Sequence, residues 1–502
     1  MLIDAAKTAP EQEALVIGDE RLSYRQFLSC VIAFSNELTE SGITDERVAL
    51  VMGNSIDICI AMFAAQMSHN QIVPMNPMYT EHELGPMLQD AEVKCIIYDK
   101  TNQLTVEKLI AELNIEHSIY VDPGDGRRLI EWLNAEPKAL PERLPQSEDL
   151  AILQFTGGTT GRAKGANLTH LAIATNMYQC NSLQKTRTDI ERVLCVMPLF
   201  HCYAWSVCLY NMVNSRGTVV ILAKYHPQEV LDTFGDEKIT IFAGSPTLFT
   251  GLMNYETFKQ ADFSALTKSI SGSAPLAEEL LVKWEAITGT PILEGFGQTE
   301  SSPVISFNPS DGIRKAGSVG IALPDTEIQI VDLKTGKKIL ETGEKGELRV
   351  RGPQVMLGYR NRPQETREAL RDGWLYTGDI GYFDEDDYLF ITGRKKEMIL
   401  VSGFNVFPRE IEELLYLHPK IKEAAVVAKK DEYRGELPIA FIVNIEGENL
   451  NVKEIGAYCE QSLAVYKVPD EFRIMKALPK TAVGKIDKVR LTEMANDAQL
   501  EE

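Results

Sequence analysis

The sequence predicts an α/β fold: a large multi-layer N-terminal domain followed by a small α+β C-terminal domain. In the first part of the chain, short apolar runs typical of buried strands alternate with helical segments, which implies parallel sheets covered by helices. From Glu327 onward the strands are short and separated by glycine and acidic turns, which is typical of antiparallel β structure. After the segment GRKKEMI, a third stretch of αβ alternation is long enough to fold alone.

The first helix and strand show the alternation most clearly. Ser23 and Gln26 have the spacing of a capping box, apolar residues then recur at helical intervals, and Gly42 ends the segment. The run RVALVM at 47–52 follows as a buried strand. The same order recurs in DICIAMFAAQMS and QIVPMN, in LTHLAIATNMY and RVLCVMP, and in PQEVLDTFGDE and ITIFAGSP. We therefore expect two α/β subdomains.

The remaining elements predict two further regions. EIQIVD, GELRVRG, WLYTGDIGYF and DYLFITGR are short strands that predict a β-barrel-like subdomain. Pro408 then marks the first turn of a helix, FPREIEELLYLH, and strands and one more helix follow in EAAVVAKK, IAFIVNI, NVKEIGAYCEQSLA and EFRIMKALP. We place the boundary at the charged cluster GRKK and predict an N-terminal domain at 1–394 and a C-terminal domain at 395–502.

Composition excludes several classes of function. The chain has 502 residues, of which 44% are hydrophobic and 25% charged, as in ordinary globular proteins. A net charge of −21 argues against a nucleic-acid or anionic-membrane partner, although local lysines and helix N-termini can still bind small polyanions. The eight cysteines form no C-x-x-C pair, which predicts buried, reduced thiols.

The sequence also predicts where the protein resides. The start of the chain lacks the pattern of a signal peptide, and no apolar run is long enough to span a membrane. We therefore expect a cytoplasmic protein without a transmembrane segment. A weak peripheral membrane contact and a homodimer stay open.

The stretch QFTGGTTGRAKGANLTH at 154–170 is a candidate phosphate-binding loop directly after the predicted strand LAILQF. Its glycines allow close backbone approach to an anion, its threonines add hydroxyl donors and its lysine adds charge. The candidates are Thr156, Gly157, Gly158, Thr159, Thr160, Gly161 and Lys164. The common nucleotide loop G-x-x-x-x-G-K-[ST] does not fit, because Ala163 and Gly165 occupy two of its fixed positions. A flexible surface hairpin is the alternative for the loop taken alone.

Three other stretches carry candidate chemistry. In LEGFGQTESSPV at 293–304, Glu300 beside Thr299 suits magnesium, and Phe296 lies between glycines, where we expect it to be exposed and to stack on a flat ring. In WLYTGDIGYF, Asp379 is a candidate acceptor for ribose hydroxyls. In LPKTAVGKIDK, Lys485 lies on a loop. Taken alone, these residues also fit a solvated glutamate, a turn aspartate and a solvated lysine.

Together these stretches resemble the adenylate-forming superfamily of acyl- and aryl-CoA synthetases, luciferases and peptide-synthetase adenylation domains. TGGTTGRAKG resembles the family loop T-S-G-T-T-G-x-P-K-G, ISGSAPL resembles S-G-G-A-P-L, EGFGQTE resembles G-Y-G-x-T-E, and YTGD matches Y-x-T-G-D. GRKKEMI and PKTAVGKI resemble the two lysine-bearing C-terminal motifs. The resemblance covers essentially the whole chain. Gly157 replaces the usual Ser and Ala163 the usual Pro, which predicts a looser hold on triphosphate.

The resemblance implies a reaction in two halves. A carboxylate attacks the α-phosphate of ATP and pyrophosphate leaves; a thiol, that of CoA, then attacks the acyl-adenylate and AMP leaves. The loop 156–164 would hold the β- and γ-phosphates, Glu300 with Thr156 would hold Mg²⁺, and Thr299 would contact phosphate. The implied adenine pocket consists of Ser271, Gly272, Ser273, Ala274, Glu294, Gly295, Phe296 and Gly297, and the adjacent Gln298 is a further implied cofactor-binding residue.

The resemblance also assigns roles in the C-terminal region. Asp379 and Arg394 would hold the ribose, and Lys485 would bridge the attacking carboxylate and the α-phosphate. Lys396 would be the hinge about which the C-terminal domain turns, and Gly403 would leave room for pantetheine. Basic groups for the other phosphates of CoA would come from a larger set of lysines and arginines: Lys429, Lys430, Arg434, Lys467, Arg473 and Lys476.

The segment PLFHCYAWS at 198–206 borders the acyl pocket in the family, and His201 is interpreted as a gate between that pocket and the thiol tunnel. No acidic residue lies between Arg192 and Glu229, which argues against a substrate with an ammonium group. Gly297 stands where acetate-type enzymes carry Trp, so we expect an open tunnel. The residues around it are small or apolar: Met212, Val213, Ala243, Gly244 and Val304.

These features favour a fatty acyl-CoA synthetase for medium- or long-chain acids, and the run SSPVISFNP also resembles bacterial members of that group. An aryl-CoA ligase is the nearest alternative, because Tyr203 and Trp205 suit a flat pocket. A ligase that loads a carrier protein is another. A non-catalytic homologue is disfavoured by the presence of Lys485, Glu300 and Asp379.

Overall fold

A computed structural model describes residues 1–502 except 123–126, 135–137, 157–162, 275, 277, 446–447, 449–450, 482–484 and 498–502. The chain divides into two compact units. The first contains 1–327 and 350–375, and the second contains 328–349 and 376–502. The division predicted at residue 394 stays a prediction.

The helices are listed here in chain order. They are α1 Leu2–Thr8, α2 Tyr24–Glu40, α3 Ile56–Met67, α4 Glu81–Ala91, α5 Gln103–Leu113, α6 His170–Gln184, α7 Asn211–Ser215, α8 Pro227–Asp236, α9 Pro246–Met253, α10 Glu278–Thr288, α11 Pro363–Ala369, α12 Pro408–Tyr416, α13 Val452–Ser462 and α14 Lys488–Asn496. A π-helical segment, Ala204–Tyr210, runs directly into α7.

The strands follow the same order. They are β1 Glu13–Ile17, β2 Glu20–Ser23, β3 Arg47–Val51, β4 Gln71–Pro74, β5 Cys95–Tyr98, β6 His117–Tyr120, β7 Leu150–Thr156, β8 Lys164–Thr169, β9 Arg192–Cys195, β10 Thr218–Ile221, β11 Ile241–Gly244, β12 Lys268–Ser271, β13 Ile292–Gly297, β14 Val304–Phe307, β15 Ile321–Ala322, β16 Glu327–Val331, β17 Gly346–Arg351, β18 Gly358–Tyr359, β19 Leu370–Arg371, β20 Trp374–Phe383, β21 Leu389–Arg394, β22 Ile399–Val401, β23 Phe404–Val406, β24 Ile421–Asp431, β25 Gly435–Asn444 and β26 Glu471–Ile474.

Two sheets organise the first unit. A nine-stranded sheet has the order β15-β14-β13-β12-β11-β9-β10-β1-β2, and a seven-stranded sheet has the order β18-β8-β7-β4-β3-β5-β6. The central strands pair in parallel. Both edges of the nine-stranded sheet and the β18-β8-β7 edge of the seven-stranded sheet are antiparallel, whereas its other edge strand, β6, pairs in parallel with β5. The predicted α/β fold class is thereby confirmed.

Helix α2 begins and packs as the sequence predicts. Ser23 accepts a hydrogen bond from the backbone of Gln26, whose side chain in turn accepts one from the Ser23 backbone. The apolar stripe of α2 is fully buried, including Phe27 and Phe34. Because the cap fixes where the helix starts, it also fixes which face meets the core.

Most strands of the two remaining sheets belong to the second unit. Strand β20 pairs antiparallel with β21, and a further sheet has the order β23-β22-β25-β24 with β26 parallel to β25. Helices α12 and α13 cover one face of this last sheet through Ile411, Leu415 and Ile455, while α14 covers the other through Leu491. The arrangement is α+β, as predicted for the smaller domain.

Two predictions from composition can be compared with the structure. All eight cysteines are buried and free of disulfide bonds, as the sequence predicts. Within the part of the chain that the structure describes, no helix has the length and apolar character needed to cross a membrane.

An aromatic cluster around Trp284 provides a stability test. The indole is fully buried and lies 4.8 Å from Phe249 and 5.4 Å from Phe258, centroid to centroid. We predict that Trp284→Ala lowers the free energy of unfolding of the first unit by about 3–5 kcal/mol, because it opens a large cavity. Urea-induced unfolding measures this change. Tyr178→Ala, at a side chain that is 71% exposed, is the control and should cost less than about 0.5 kcal/mol. Equal effects of the two substitutions would contradict the packing described.

Candidate active site

The carboxyl ends of four neighbouring parallel strands meet at one edge of the nine-stranded sheet. Strands β9, β11, β12 and β13 lie side by side, with Gly244 opposite Ser271 and Ser271 opposite Glu294. In open α/β sheets, ligands bind in the crevice outside such ends. The register therefore brings together two predicted adenine segments, 271–274 and 294–297, and places the end of β11 next to them.

Tyr203 fills the space between the ends of β11 and β12. Its hydroxyl donates to the carbonyl oxygen of Ile270 at 2.9 Å and lies 3.4 Å from that of Gly244. Its ring lies 3.6 Å from the position that a Cβ of Gly272 would occupy. Burial raises the pKa of the Tyr203 phenol, so the side chain stays neutral. Tyr203 was predicted only as a wall of a flat pocket, whereas in the structure its ring occupies the gap between two strand ends.

Trp205 is also placed differently from a simple pocket wall. It is fully buried, and its indole nitrogen donates to the side-chain oxygen of Gln154 at 2.9 Å. The Gln154 amide in turn donates to the carbonyl oxygen of Phe200 at 3.3 Å. These bonds connect the last part of β7, which leads into the candidate phosphate loop, to the segment that carries His201.

His201 and Thr299 lie in adjoining segments. The backbone N–H of Tyr203 donates to Nδ1 of His201 at 3.2 Å, so in the neutral ring the proton resides on Nε2. The next residue, Cys202, places its Sγ 3.6 Å from the hydroxyl oxygen of Thr299. Cys202, the residue after the predicted gate His201, is thus in contact with Thr299, the predicted phosphate contact.

The glycines of the second adenine segment are required by close packing. A Cβ on Gly297 would stand 2.1 Å from the carbonyl oxygen of Pro303, and one on Gly295 would stand 2.5 Å from the ring of Phe307. Strand β14 therefore needs both glycines in β13. The open tunnel predicted from Gly297 stays a prediction. Phe296, expected to be exposed, is half-buried on strand β13, because the antiparallel pairing with β14 covers it.

The first adenine segment presents polar groups at the end of β12. Ser271 is buried, and its hydroxyl has no hydrogen-bond partner among the described residues. A buried hydroxyl without a partner is costly, so it suits a polar ligand. Ser273 has a positive φ of 74° and is exposed together with Ala274.

Gln298, at the start of the turn Thr299–Ser301, is half-buried and donates its backbone N–H to the Pro303 carbonyl oxygen at 2.9 Å.

The centre of the candidate phosphate loop lies outside the described residues, but its two ends do not. The predicted ligands Gly157, Gly158, Thr159, Thr160 and Gly161 are therefore not placed. The flanking strands pair antiparallel, with Thr156 opposite Lys164 at the base of the loop. Both residues are half-buried. The lysine is thus held at a strand end, as an anion site requires.

Tyr359 joins Lys164 to Glu300. The Tyr359 hydroxyl donates to Oε1 of Glu300 at 2.7 Å, and Nζ of Lys164 lies 5.2 Å from the centroid of the same ring. The candidate phosphate and metal groups therefore share one neighbour. Sequence reasoning missed Tyr359, because a tyrosine between a glycine and an arginine does not by itself indicate phosphate or metal chemistry. Two local features indicate a fixed turn at this tyrosine: the glycine before it and the helix after it, which begins with a proline.

The second unit carries Asp379 and Arg394 on neighbouring strands. Asp379 is opposite Arg394 in the pairing of β20 with β21, and Nε of Arg394 lies 2.9 Å from its carboxylate. Asp379 is 3% exposed and belongs to a strand, not to the turn that its glycine neighbour suggests. Lys396 is exposed, while the adjacent Lys395 pairs with Glu347 at 2.7 Å. The predicted ribose ligands are held together, and their role stays a prediction.

Lys485 and Gly403 both lie in turns of the second unit. The backbone of Thr481 donates to the carbonyl oxygen of Lys485 at 2.7 Å, and the Lys485 N–H donates to the Thr481 hydroxyl at 3.2 Å. Ser402 and Gly403 both have positive φ in the two-residue hairpin between β22 and β23. That turn geometry alone favours glycine. The hairpin therefore accounts for Gly403 without reference to a ligand.

Several of the basic residues proposed for the phosphates of CoA have acidic partners. Lys429 and Arg473 both contact Glu471, at 3.4 and 2.5 Å. Arg434 lies 3.3 Å from Asp470, and Lys467 lies 2.6 Å from Glu410. Each would have to share or exchange its partner to bind a phosphate, which weakens their assignment.

Comparison with known proteins agrees with this geometry. The family model described as AMP-binding enzyme matches residues 2–360, and the model of the AMP-binding enzyme C-terminal domain matches 410–485. A long-chain-fatty-acid–CoA ligase of Bacillus subtilis is 34% identical over 98% of this chain and 93% of its own. ATP-bound MatB from Rhodopseudomonas palustris has a TM-score of 0.91 at 30% identity, covering 99% and 98%. The anthranilate CoA ligase AuaEII with anthranoyl-AMP has a TM-score of 0.91 at 26% identity, covering 99% and 97%.

The two glycines at neighbouring strand ends give a matched pair of substitutions. A methyl group on Gly297 meets a backbone carbonyl, whereas on Gly272 it makes an ordinary contact at 3.6 Å. We predict that Gly297→Ala lowers the free energy of unfolding by about 1–3 kcal/mol through overpacking. Gly272→Ala should change it by less than about 0.5 kcal/mol. Urea-induced unfolding of both variants checks this, and a Gly297→Ala protein as stable as the wild type would contradict the close approach of β13 and β14.

Proposed function

Because the chain belongs to the AMP-binding, adenylate-forming enzyme family, we propose that it activates a medium- or long-chain fatty acid with ATP and transfers the acyl group to CoA. At the level of the family, the protein is an ATP-dependent acid–thiol ligase that uses Mg²⁺. The observation that carries the proposal is the contact of Tyr359 with both Lys164 and Glu300. This contact places a cationic group, Lys164, which suits a triphosphate, near an anionic group, Glu300, which suits its metal ion.

The first half-reaction needs positioning and charge stabilisation more than covalent help from the protein. The carboxylate of the acid attacks the α-phosphorus, and the bond to pyrophosphate breaks. Lys164 would bind the phosphates of ATP, and Glu300 with Thr156 would hold Mg²⁺, which neutralises phosphate charge. The unpartnered hydroxyl of Ser271 would accept a polar group of the nucleotide. Lys485 would stabilise the charge that gathers at the α-phosphate.

In the second half-reaction, the thiol of CoA attacks the acyl carbon, and the bond between that carbon and AMP breaks. We assign the gate between the acyl and thiol sites to His201, whose ring orientation is fixed through the backbone of Tyr203. A turn of the C-terminal region about Lys396 would exchange Lys485 for the hairpin at Gly403. Asp379 and Arg394 would hold the ribose during both steps.

The acyl chain would enter at the ends of β11 and β12. Three of the residues expected to line the tunnel are apolar and fully buried: Met212, Val213 and Ala243. Each methylene that reaches them would add roughly 0.8 kcal/mol. Because the Tyr203 ring occupies the gap, a long chain requires that this side chain moves. The curated relative matched over nearly the whole chain is named a long-chain-fatty-acid–CoA ligase, which supports an alkyl substrate.

An aryl-CoA ligase is the second candidate. The observation that favours it is the same Tyr203, whose buried ring would face a short, flat acid without having to move. The similarity to the anthranilate CoA ligase supports this alternative. A ligase that loads a carrier protein would keep all of the ATP residues and differ only in the thiol acceptor.

Release of AMP from ATP with a panel of acids tests the proposal. We expect turnover that depends on CoA and rises along the series from acetate to palmitate, because longer chains bury more apolar surface. Benzoate and a cinnamate test the aryl alternative in the same assay.

In that experiment, a Tyr203→Ala variant tests whether the acyl chain of the substrate passes the position of this ring. Removing the ring should improve turnover of the longest acids relative to that of the shortest. Turnover confined to aromatic acids would reject the fatty-acid assignment, and acyl-adenylate that forms but does not react with CoA would point to a carrier protein.

A Lys485→Ala variant separates the two half-reactions. We predict that adenylate formation falls by about 10²- to 10³-fold, because a donor to the transition state is lost. Conversion of supplied acyl-adenylate to acyl-CoA should stay close to the wild-type rate. Single-turnover assays of each step measure this, with Lys453→Ala, at an exposed lysine of α13, as the control. Equal loss of both steps would contradict the exchange of Lys485 and the hairpin at Gly403.

A further inference from the structure

The backbone at Tyr359 is held from two sides, by β8 and by helix α11. It pairs with Ala166 in β8, and the neighbouring Arg360 N–H donates to the carbonyl oxygen of Gly165 at 2.8 Å. Its own N–H donates to the hydroxyl of Thr366 in helix α11 at 3.0 Å. The backbone of Tyr359 is thus held beside β8, the strand that begins at Lys164.

The same segment also fixes Glu300. The N–H of Met356 donates to the Glu300 carbonyl oxygen at 2.8 Å, while the Tyr359 hydroxyl donates to its carboxylate. This bond occupies one carboxylate oxygen, Oε1, and the other, Oε2, has no hydrogen bond among the described residues. A hydrogen bond to a charged acceptor is among the stronger ones in proteins.

The ring of Tyr359 also separates two opposite charges. Nζ of Lys164 lies over its face at 5.2 Å, and its hydroxyl end lies on Glu300. Although both groups contact one side chain, no ion pair joins Lys164 and Glu300 among the described residues. A direct pair would neutralise the two groups and make each less able to bind a ligand charge.

We propose that Tyr359 is a positioning residue that orients the Glu300 carboxylate for Mg²⁺ and keeps Lys164 apart from it for phosphate. This inference rests on the proposed function, since it takes Glu300 and Lys164 as the metal and phosphate groups. The hydroxyl acts on the carboxylate, whereas the ring acts on the lysine. Two substitutions therefore separate the two effects: Tyr359→Phe keeps the ring, and Tyr359→Leu removes both.

Binding of ATP, measured by calorimetry at a series of Mg²⁺ concentrations, tests this without requiring turnover. For Tyr359→Phe we expect the Mg²⁺ concentration at half-maximal ATP binding to rise about fivefold or more, because the carboxylate loses its donor. Affinity at saturating Mg²⁺ should stay within about twofold of the wild type, since the ring under Lys164 remains. Tyr359→Leu should weaken ATP binding even at saturating Mg²⁺.

A second background distinguishes positioning from a general structural role. In Glu300→Ala, the Tyr359→Phe substitution should change the Mg²⁺ dependence by less than about twofold, because the group that it acts through is gone. Tyr178→Phe, on a side chain that is 71% exposed, is the matched control. Thermal unfolding of each variant without ligand checks that the fold is intact.

Each outcome decides the inference. An unchanged Mg²⁺ dependence in Tyr359→Phe overturns it, and so does an equal effect with and without the Glu300 carboxylate. If the wild type binds ATP with Mg²⁺ but activates no carboxylic acid, the proposed function fails while the comparison of Tyr359 variants still decides its role. If the wild type does not bind ATP, both proposals fall.

Discussion

The candidate site depends on main-chain hydrogen bonds that join three segments far apart in the sequence. The segment 356–360 donates N–H groups to Glu300, to Asn167 and to Gly165, at 2.8, 3.0 and 2.8 Å. These bonds tie the turn that carries the candidate metal ligand to the strand that begins with Lys164. Because these bonds restrict the backbone of both segments, the starting points of the Lys164 and Glu300 side chains are fixed relative to each other. Preorganisation of this kind is what a reaction governed by positioning and electrostatics requires.

The sequence predicts most of the α/β elements because buried parallel strands need continuous apolar runs. The runs at β3, β4, β9 and β11, and the capped helix α2, all occur where expected. The order of strands in a sheet is set by tertiary contacts that no local pattern contains. The two-residue strand β18 is an example: one glycine and one tyrosine are too short a run to indicate a strand, yet they extend the seven-stranded sheet beside β8.

The same limit applies to the candidate site. Motifs identify Lys164, Thr299 and Glu300 because their side chains are typical of phosphate and metal chemistry. They do not identify Tyr359, whose importance comes only from what it contacts. Phe296 was expected to be exposed and is half-buried, because pairing with β14 is a long-range property. Asp379 resembles a turn residue locally, but it is buried on a strand opposite Arg394.

The central claim is that this site joins a carboxylic acid to the α-phosphate of ATP and releases pyrophosphate. Exchange of labelled pyrophosphate into ATP, with a fatty acid present and CoA absent, tests it most directly, because only reversible adenylate formation gives this exchange. The account predicts exchange that requires both the acid and Mg²⁺ and is lost in Glu300→Ala. A protein that binds ATP with Mg²⁺ but catalyses no acid-dependent exchange would contradict it.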